Sequence, residues 1–265
     1  MNGERNNRFA GLGAALRTLT IFPWPGKGGD LAASLPWFPV VGLLFGSILY
    51  GVATVLSRLP VPFWPEGIAA VLLVLEIILT RGLHLDGLAD WADSIGAFSD
   101  REKRLAIMKD HSIGAFGMLA LFADLLFKWV AFDRLLSSGS MIWLIPIFVL
   151  SRGFMVELMT TLPSARAGEG MAGPFVREKS EARRFAALVL GLLIVLPFGP
   201  VGLALFMIAW LLIGLFRIRC RDQFGGITGD LLGTSNEMVM LALLTIIAFS
   251  GARIMACTGW CWILK

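Results

Sequence analysis

The chain has 265 residues, of which 57% are hydrophobic and only 16% charged, with nine Trp and a formal net charge of +4; its mean hydropathy is +0.77. That composition excludes an ordinary soluble domain, in which about 25% of residues are charged, and describes an integral membrane protein. Loops facing anionic lipid and an anionic substrate account for the modest positive balance, so no nucleic-acid partner is implied.

In chain order, residues 9–22 are moderately apolar, carry Arg17 in the middle and end in Pro23, Trp24, Pro25 and Gly26. No small-residue cleavage site follows, so an interfacial or partly buried helix is expected rather than a signal peptide. Apolar runs close to the length of a bilayer crossing occupy residues 35–56, 61–79, 113–132, 141–162, 201–216 and 238–250, with a shorter run at 185–196. They predict an all-α, polytopic membrane helical bundle of about seven transmembrane helices, forming one domain over residues 1–265. Pro197, Phe198, Gly199 and Pro200 join the short run to the next as a tight hairpin whose first arm is short enough to be partly re-entrant. Of the three cysteines, Cys257 and Cys261 are four apart with no His beside them, which favours packing over a metal site.

Alternating the connections between the two sides places seventeen of the 23 Lys and Arg on the side of the N-terminus. The other side receives only Arg58, Arg134, Arg253 and Lys265, and Lys128 and Arg152 fall inside apolar runs. This asymmetry predicts a cytoplasmic N-terminus.

Two tracts on that basic side carry chemistry. In residues 81–117, Asp86, Asp90 and Asp93 are spaced by four and three, within an arc of about 60° on a helix. Three crowded carboxylates repel unless a cation neutralises them, and hard oxygen ligands suit Mg²⁺ handling a phosphate. The competing reading is a solvated acidic face. His84, just ahead of them, is a general base or the partner of an aspartate. In residues 217–238, Gly225, Gly226, Gly229 and Gly233 lie with Arg217, Arg219 and Arg221, a composition that lets backbone N–H groups approach an anion. Asp230 among these glycines is a natural further ligand for the metal of the first tract. Lys128 and Asp124 are four apart and neutralise each other, and Glu76 and Glu157 are candidate partners of Arg152 or Lys128.

The pattern L-H-L-D-G-L-A-D-x-x-D, then I-M-K-D and G-A-F-G, then G-G-x-T-G-D-x-L-G, resembles the cobalamin synthase family, the adenosylcobinamide-GDP ribazoletransferases. The resemblance covers nearly the whole chain, including P-V-V-G-L-L-F-G, Arg152 and A-R-A-G-E-G at residues 165–170. It implies a Mg²⁺-dependent enzyme of the bacterial inner membrane, with its site facing the cytoplasm. The reaction joins adenosylcobinamide-GDP to alpha-ribazole or its 5′-phosphate and releases GMP, the last assembly step of coenzyme B12; other corrinoid-pathway enzymes or a second copy of the chain are the partners to expect. On the matching positions, Asp86, Asp90, Asp93 and Asp230 hold metal, and Asp93 or His84 takes the hydroxyl proton. Lys128, Arg152, Arg166, Gly225, Gly226 and Gly229 contact substrate, and Asp110 orders its loop or joins the metal. The family commonly has Ser-Arg after I-M-K-D where this chain has His111 and Ser112, so that arginine's phosphate contact does not carry over.

Two other functions compete. A CDP-alcohol lipid-headgroup transferase also uses spaced aspartates after Asp-Gly, but its Asp-Gly is followed by Ala-Arg, where Ala89 precedes Asp90 here. An ion-coupled transporter would carry acids near the bilayer midplane in repeated halves, a pattern absent from the sequence.

Overall fold

The computed structural model describes residues 10–24, 31–97, 100–110, 112–166 and 180–261. Pro25, Gly26, His111 and residues 167–170 of the motifs above therefore lie outside the described residues. Every apolar run becomes helix, and among the described residues there is no strand. Five helical stretches are long and apolar enough to cross a membrane, or six when one sharply bent pair is counted as a span. The expected seven differs because the stretch Glu181–Phe224 holds two arms.

The first helix, α1 (Ala10–Leu19), is half-buried, as a partly buried helix should be. A Cβ on Gly11 would strike the Ala33 carbonyl and the Trp37 ring, so this helix lies backbone-close on the 3₁₀ helix Leu31–Trp37. The next helix, α2 (Phe38–Ser57), turns Gly42 and Gly46 toward the backbone at Phe148 and Ile145. Small residues let helices approach where lipid offers no hydrophobic drive, because dispersion then carries the packing.

Helix α3 (Pro65–Thr80) ends in Arg81 at φ 57° and Gly82 at φ 65°, two successive left-handed residues. They turn the chain by 89° into α4 (Leu83–Gly96), the helix that carries the three aspartates. An α-helix cannot continue through left-handed residues, so the acids lie across the bundle instead of extending the span. A short α5 (Arg101–Ile107) starts at Asp100, whose carboxylate accepts from the Lys103 N–H at 3.0 Å. It leads to α6 (Ala115–Ser137).

Helix α7 (Leu144–Thr161) is buried at every residue from Pro146 to Thr160. A helix apolar on all sides is the core of the bundle, and the others pack round it. The arms α8 (Glu181–Val195) and α9 (Gly199–Phe224) meet at Pro197 and at Gly199, φ 73°. A straight helix over both would be about 66 Å long, twice a bilayer core. Instead the chain folds back: Arg184 near the start of α8 and Arg217 near the end of α9 both reach Glu157, at 3.8 and 3.5 Å. Glu157 thus fastens the hairpin to α7 and pairs with neither Lys128 nor Arg152. The last long helix, α10 (Gly229–Ser250), is capped by Thr228, whose hydroxyl accepts from the Leu231 N–H.

Candidate functional site

The two motif tracts, about 140 residues apart in sequence, meet where α4 crosses the start of α10. Gly87 permits the contact. A Cβ there would collide with the Asp230 backbone, its Cα at 2.8 Å. Gly233 does the same from the other helix, where a Cβ would lie 3.0 Å from the His84 Cα. Thr234 donates to the Gly87 carbonyl at 2.9 Å across the seam. The glycines are required by close backbone approach, and the approach sets the aspartates of α4 beside Asp230.

Asp90 stands among the charges of Asp230, Asp86 and Asp93 and faces the Arg166 guanidinium. Asp86 is exposed and Asp90 half-buried; among the described residues neither side chain has a hydrogen-bond or ion-pair partner. Asp230 is held by Arg166 Nη2 at 3.1 Å and by the Thr228 hydroxyl at 3.3 Å. Arg166 also donates to the Met108 carbonyl at 3.1 Å, and its Nε is buried with no partner. Its placement comes from a parallel bridge between Ser164 and Ile227, in which Ile227 N–H donates to Pro163 O at 2.8 Å and Ala165 N–H to Ile227 O at 3.0 Å. Arg166 is therefore part of the site and not a plain surface charge.

Asp93 has a different task. Its two oxygens accept the N–H groups of Gly114 at 2.7 Å and Gly117 at 2.9 Å, the first turn of α6. Gly114 occupies the N-cap position with no side chain to cap with, so Asp93 supplies the cap from another helix. Asp93 is thus engaged by two backbone amides of α6, unlike the side chains of Asp86 and Asp90. Asp110 orders its loop by accepting from the Ser112 N–H at 3.0 Å.

The glycine loop also differs from expectation. Gly225 N–H donates to Arg221 O at 3.0 Å and Gly226 N–H to Cys220 O at 3.2 Å, so neither amide is available to an anion. Gly225 is needed for the left-handed end of α9, φ 69°, and Gly226 because a Cβ would strike the Pro163 carbonyl. Gly229 remains a candidate anion contact. Its N–H and that of Asp230 open α10, where a helix has no carbonyl to receive them.

Lys128, Arg152 and His84 are buried inside the bundle. Lys128 is 1% exposed and is enclosed by Glu76 at 3.3 Å, Asp124 at 3.1 Å and Glu237. Arg152 is fully buried, with its guanidinium 4.4 Å from the Phe148 ring centre and its Nη1 donating to Ser151 at 2.8 Å. His84 is also buried, its Nδ1 3.0 Å from Asn236 Nδ2. The expected phosphate contacts of Lys128 and Arg152 are thus core charges, and His84 partners an amide, not an aspartate. Sequence reasoning missed Asn236 and Glu237. An acid within an apolar helix was the available signal for Glu237.

Among the described residues no three His, Cys, Asp or Glu side chains already converge as a metal cage. Mg²⁺ rarely needs one: it keeps several waters and takes one or two carboxylates together with substrate phosphate oxygens. Asp86 and Asp90, four apart on α4, are a donor pair of that kind, and Asp230, held by Arg166, lies beside Asp90.

The fold and the site together define a multi-pass membrane protein with an acidic, arginine-clamped face built from two distant helices. Residues 11–248 match the cobalamin-5-phosphate synthase family, and the chain belongs to it. An adenosylcobinamide-GDP ribazoletransferase of Chlorobium phaeovibrioides is 42% identical over 88% of this chain and 94% of its own length. One of the same name from Syntrophobacter fumaroxidans is 41% identical over 89% of this chain and 97% of its own length. A third, from Chlorobaculum parvum, is 39% identical over 89% and 93%. No solved structure matches the chain.

Proposed function

We propose that this chain joins adenosylcobinamide-GDP to alpha-ribazole, or to its 5′-phosphate, with release of GMP, at the cytoplasmic face of a bacterial inner membrane. The observation that carries the reading is the meeting of Asp86 and Asp90 with Asp230 and Arg166, on the motifs through which the chain resembles its relatives. The distribution of Lys and Arg supports the sidedness.

A ribose hydroxyl attacks the phosphorus on the cobinamide side of the diphosphate; the new P–O bond joins the two halves as the bond to GMP breaks. In such a transfer positioning and charge neutralisation supply most of the catalysis. Mg²⁺ held by Asp86 and Asp90, with Asp230 beside them, would neutralise the diphosphate and polarise its oxygens. Arg166 exchanges its Asp230 partner for a phosphate oxygen, for which its planar fork of donors is suited. The N–H groups of Gly229 and Asp230 offer the positive end of α10 to the same charge. A carboxylate oxygen of Asp90 not occupied by metal accepts the hydroxyl proton, a role that the capping duty of Asp93 leaves open.

The test is direct. Protein purified in detergent is incubated with adenosylcobinamide-GDP and alpha-ribazole, with and without Mg²⁺, and chromatographed for GMP and cobalamin. Both products with Mg²⁺ and neither without it are expected; GMP formation unaffected by chelation would remove the metal from the reading, and no cobalamin under any condition would remove the reaction.

A further inference from the structure

Asn236 and Glu237 are consecutive on α10 and both buried, at 0% and 2% exposure. One amide group, Asn236 Nδ2, donates to His84 Nδ1 at 3.0 Å and to Glu237 Oε1 at 3.1 Å, using both of its hydrogens. With Nδ2 turned toward it, His84 Nδ1 accepts and the imidazole hydrogen falls on Nε2, a buried atom without a hydrogen-bond partner among the described residues. The other Glu237 oxygen is held by Lys128, itself fastened to Glu76 on α3 and Asp124 on α6. A chain of polar contacts thus runs from the middle of the bundle to the first turn of α4. Its end, His84, is two residues before Asp86 on the same helix.

The seam between α4 and α10 is backbone against backbone at Gly87 and Gly233. Glycine contacts permit closeness but have no side chains to interlock, so they leave rotation and sliding of one helix on the other weakly opposed. The bonds Thr234 to Gly87 and Asn236 to His84 remove that freedom.

We propose that Asn236 and Glu237 are positioning residues: by locking His84 through Nδ1 they fix the rotation of α4, so that Asp86 and Asp90 face Asp230 and Arg166. The inference rests on reading that acidic face as the metal and diphosphate site, and its test separates the two. An Asn side chain places its oxygen near the position of Nδ1, whereas Gln reaches the position of Nε2. In full-length protein in detergent, with Mn²⁺ alone as an EPR-visible probe, His84→Asn should bind within about threefold of wild type. His84→Gln and Asn236→Leu should weaken binding by roughly 10-fold or more, as loss of a ligand's supporting partner does. Rescue by Gln in place of Asn would make Nε2 the working atom and overturn the proposal. Asp90→Asn is the control for the site itself: if it binds Mn²⁺ like wild type, the metal reading falls, and the lock is then judged by a spectrum that needs no metal. The chain has only two histidines, so ¹⁵N-histidine NMR of a His111→Gln background reports His84 alone. It should give the Nε2–H tautomer with an unprotonated Nδ1, and Asn236→Leu should convert it to an exchanging mixture. An Nδ1–H tautomer in the parent protein would overturn the lock whatever the Mn²⁺ result.

Discussion

Two groups of acids lie in one helical bundle and are treated in opposite ways. Around Lys128, three carboxylates from α3, α6 and α10 are buried and share one ammonium. On the outer face of α4, Asp86 and Asp90 are open or half-open, and among the described residues unpartnered. A charge buried without a partner costs several kcal/mol, so the inner acids depend on Lys128 to stay charged. Asp86 remains unpaired at little cost because water reaches it, whereas burial and the neighbouring carboxylates penalise the charge of Asp90, a strain that a cation and a phosphate would relieve. The inner group serves the fold; the outer group is available for chemistry.

This contrast breaks first if activity and stability fail to separate. Asp90→Asn should lower turnover by about 10²- to 10⁴-fold, the range for loss of a proton acceptor, with the melting temperature in detergent unchanged. Wild-type turnover, or a large loss of stability, would place Asp90 with the inner group. Lys128→Met should do the reverse and destabilise by about 3–5 kcal/mol, because three carboxylates lose their cation. The readout is thermal unfolding or the yield of monodisperse protein, and an unchanged melting temperature would mean that the inner acids do not depend on the lysine.

A smaller effect tests the seam that joins the two motif tracts. Gly87→Val forces a side chain against the Asp230 backbone and should cost about 1–3 kcal/mol, as overpacking does. It should also lower activity more than its stability loss explains, since α4 is pushed away from Asp230; stability and activity equal to wild type would show that the helices need not touch. The smallest effect concerns Asp93. Asp93→Ala removes the cap of α6 and should cost about 0.5–2 kcal/mol, and at a temperature where the variant is folded it should keep most of its turnover. A collapse of turnover as deep as that of Asp90→Asn would return Asp93 to the reacting groups.

The membrane class, the helical runs and the three acids on one face of α4 were legible from the residues alone, because hydropathy and the 3.6-residue period are local properties. So was the pairing of Asp124 with Lys128, four apart on one helix. Packing between helices set Asp230 beside those acids, put Asp93 on the N-terminus of a helix whose first capped amide is 21 residues on, and committed the amides of Gly225 and Gly226 to the end of α9 instead of an anion. It likewise placed Lys128 and Arg152 in the core, where the family resemblance had implied a substrate contact. Each of these turns on which backbone meets which across helices far apart in the chain. A glycine, an aspartate or a lysine reads the same in sequence whether its neighbour in space is a substrate or another helix.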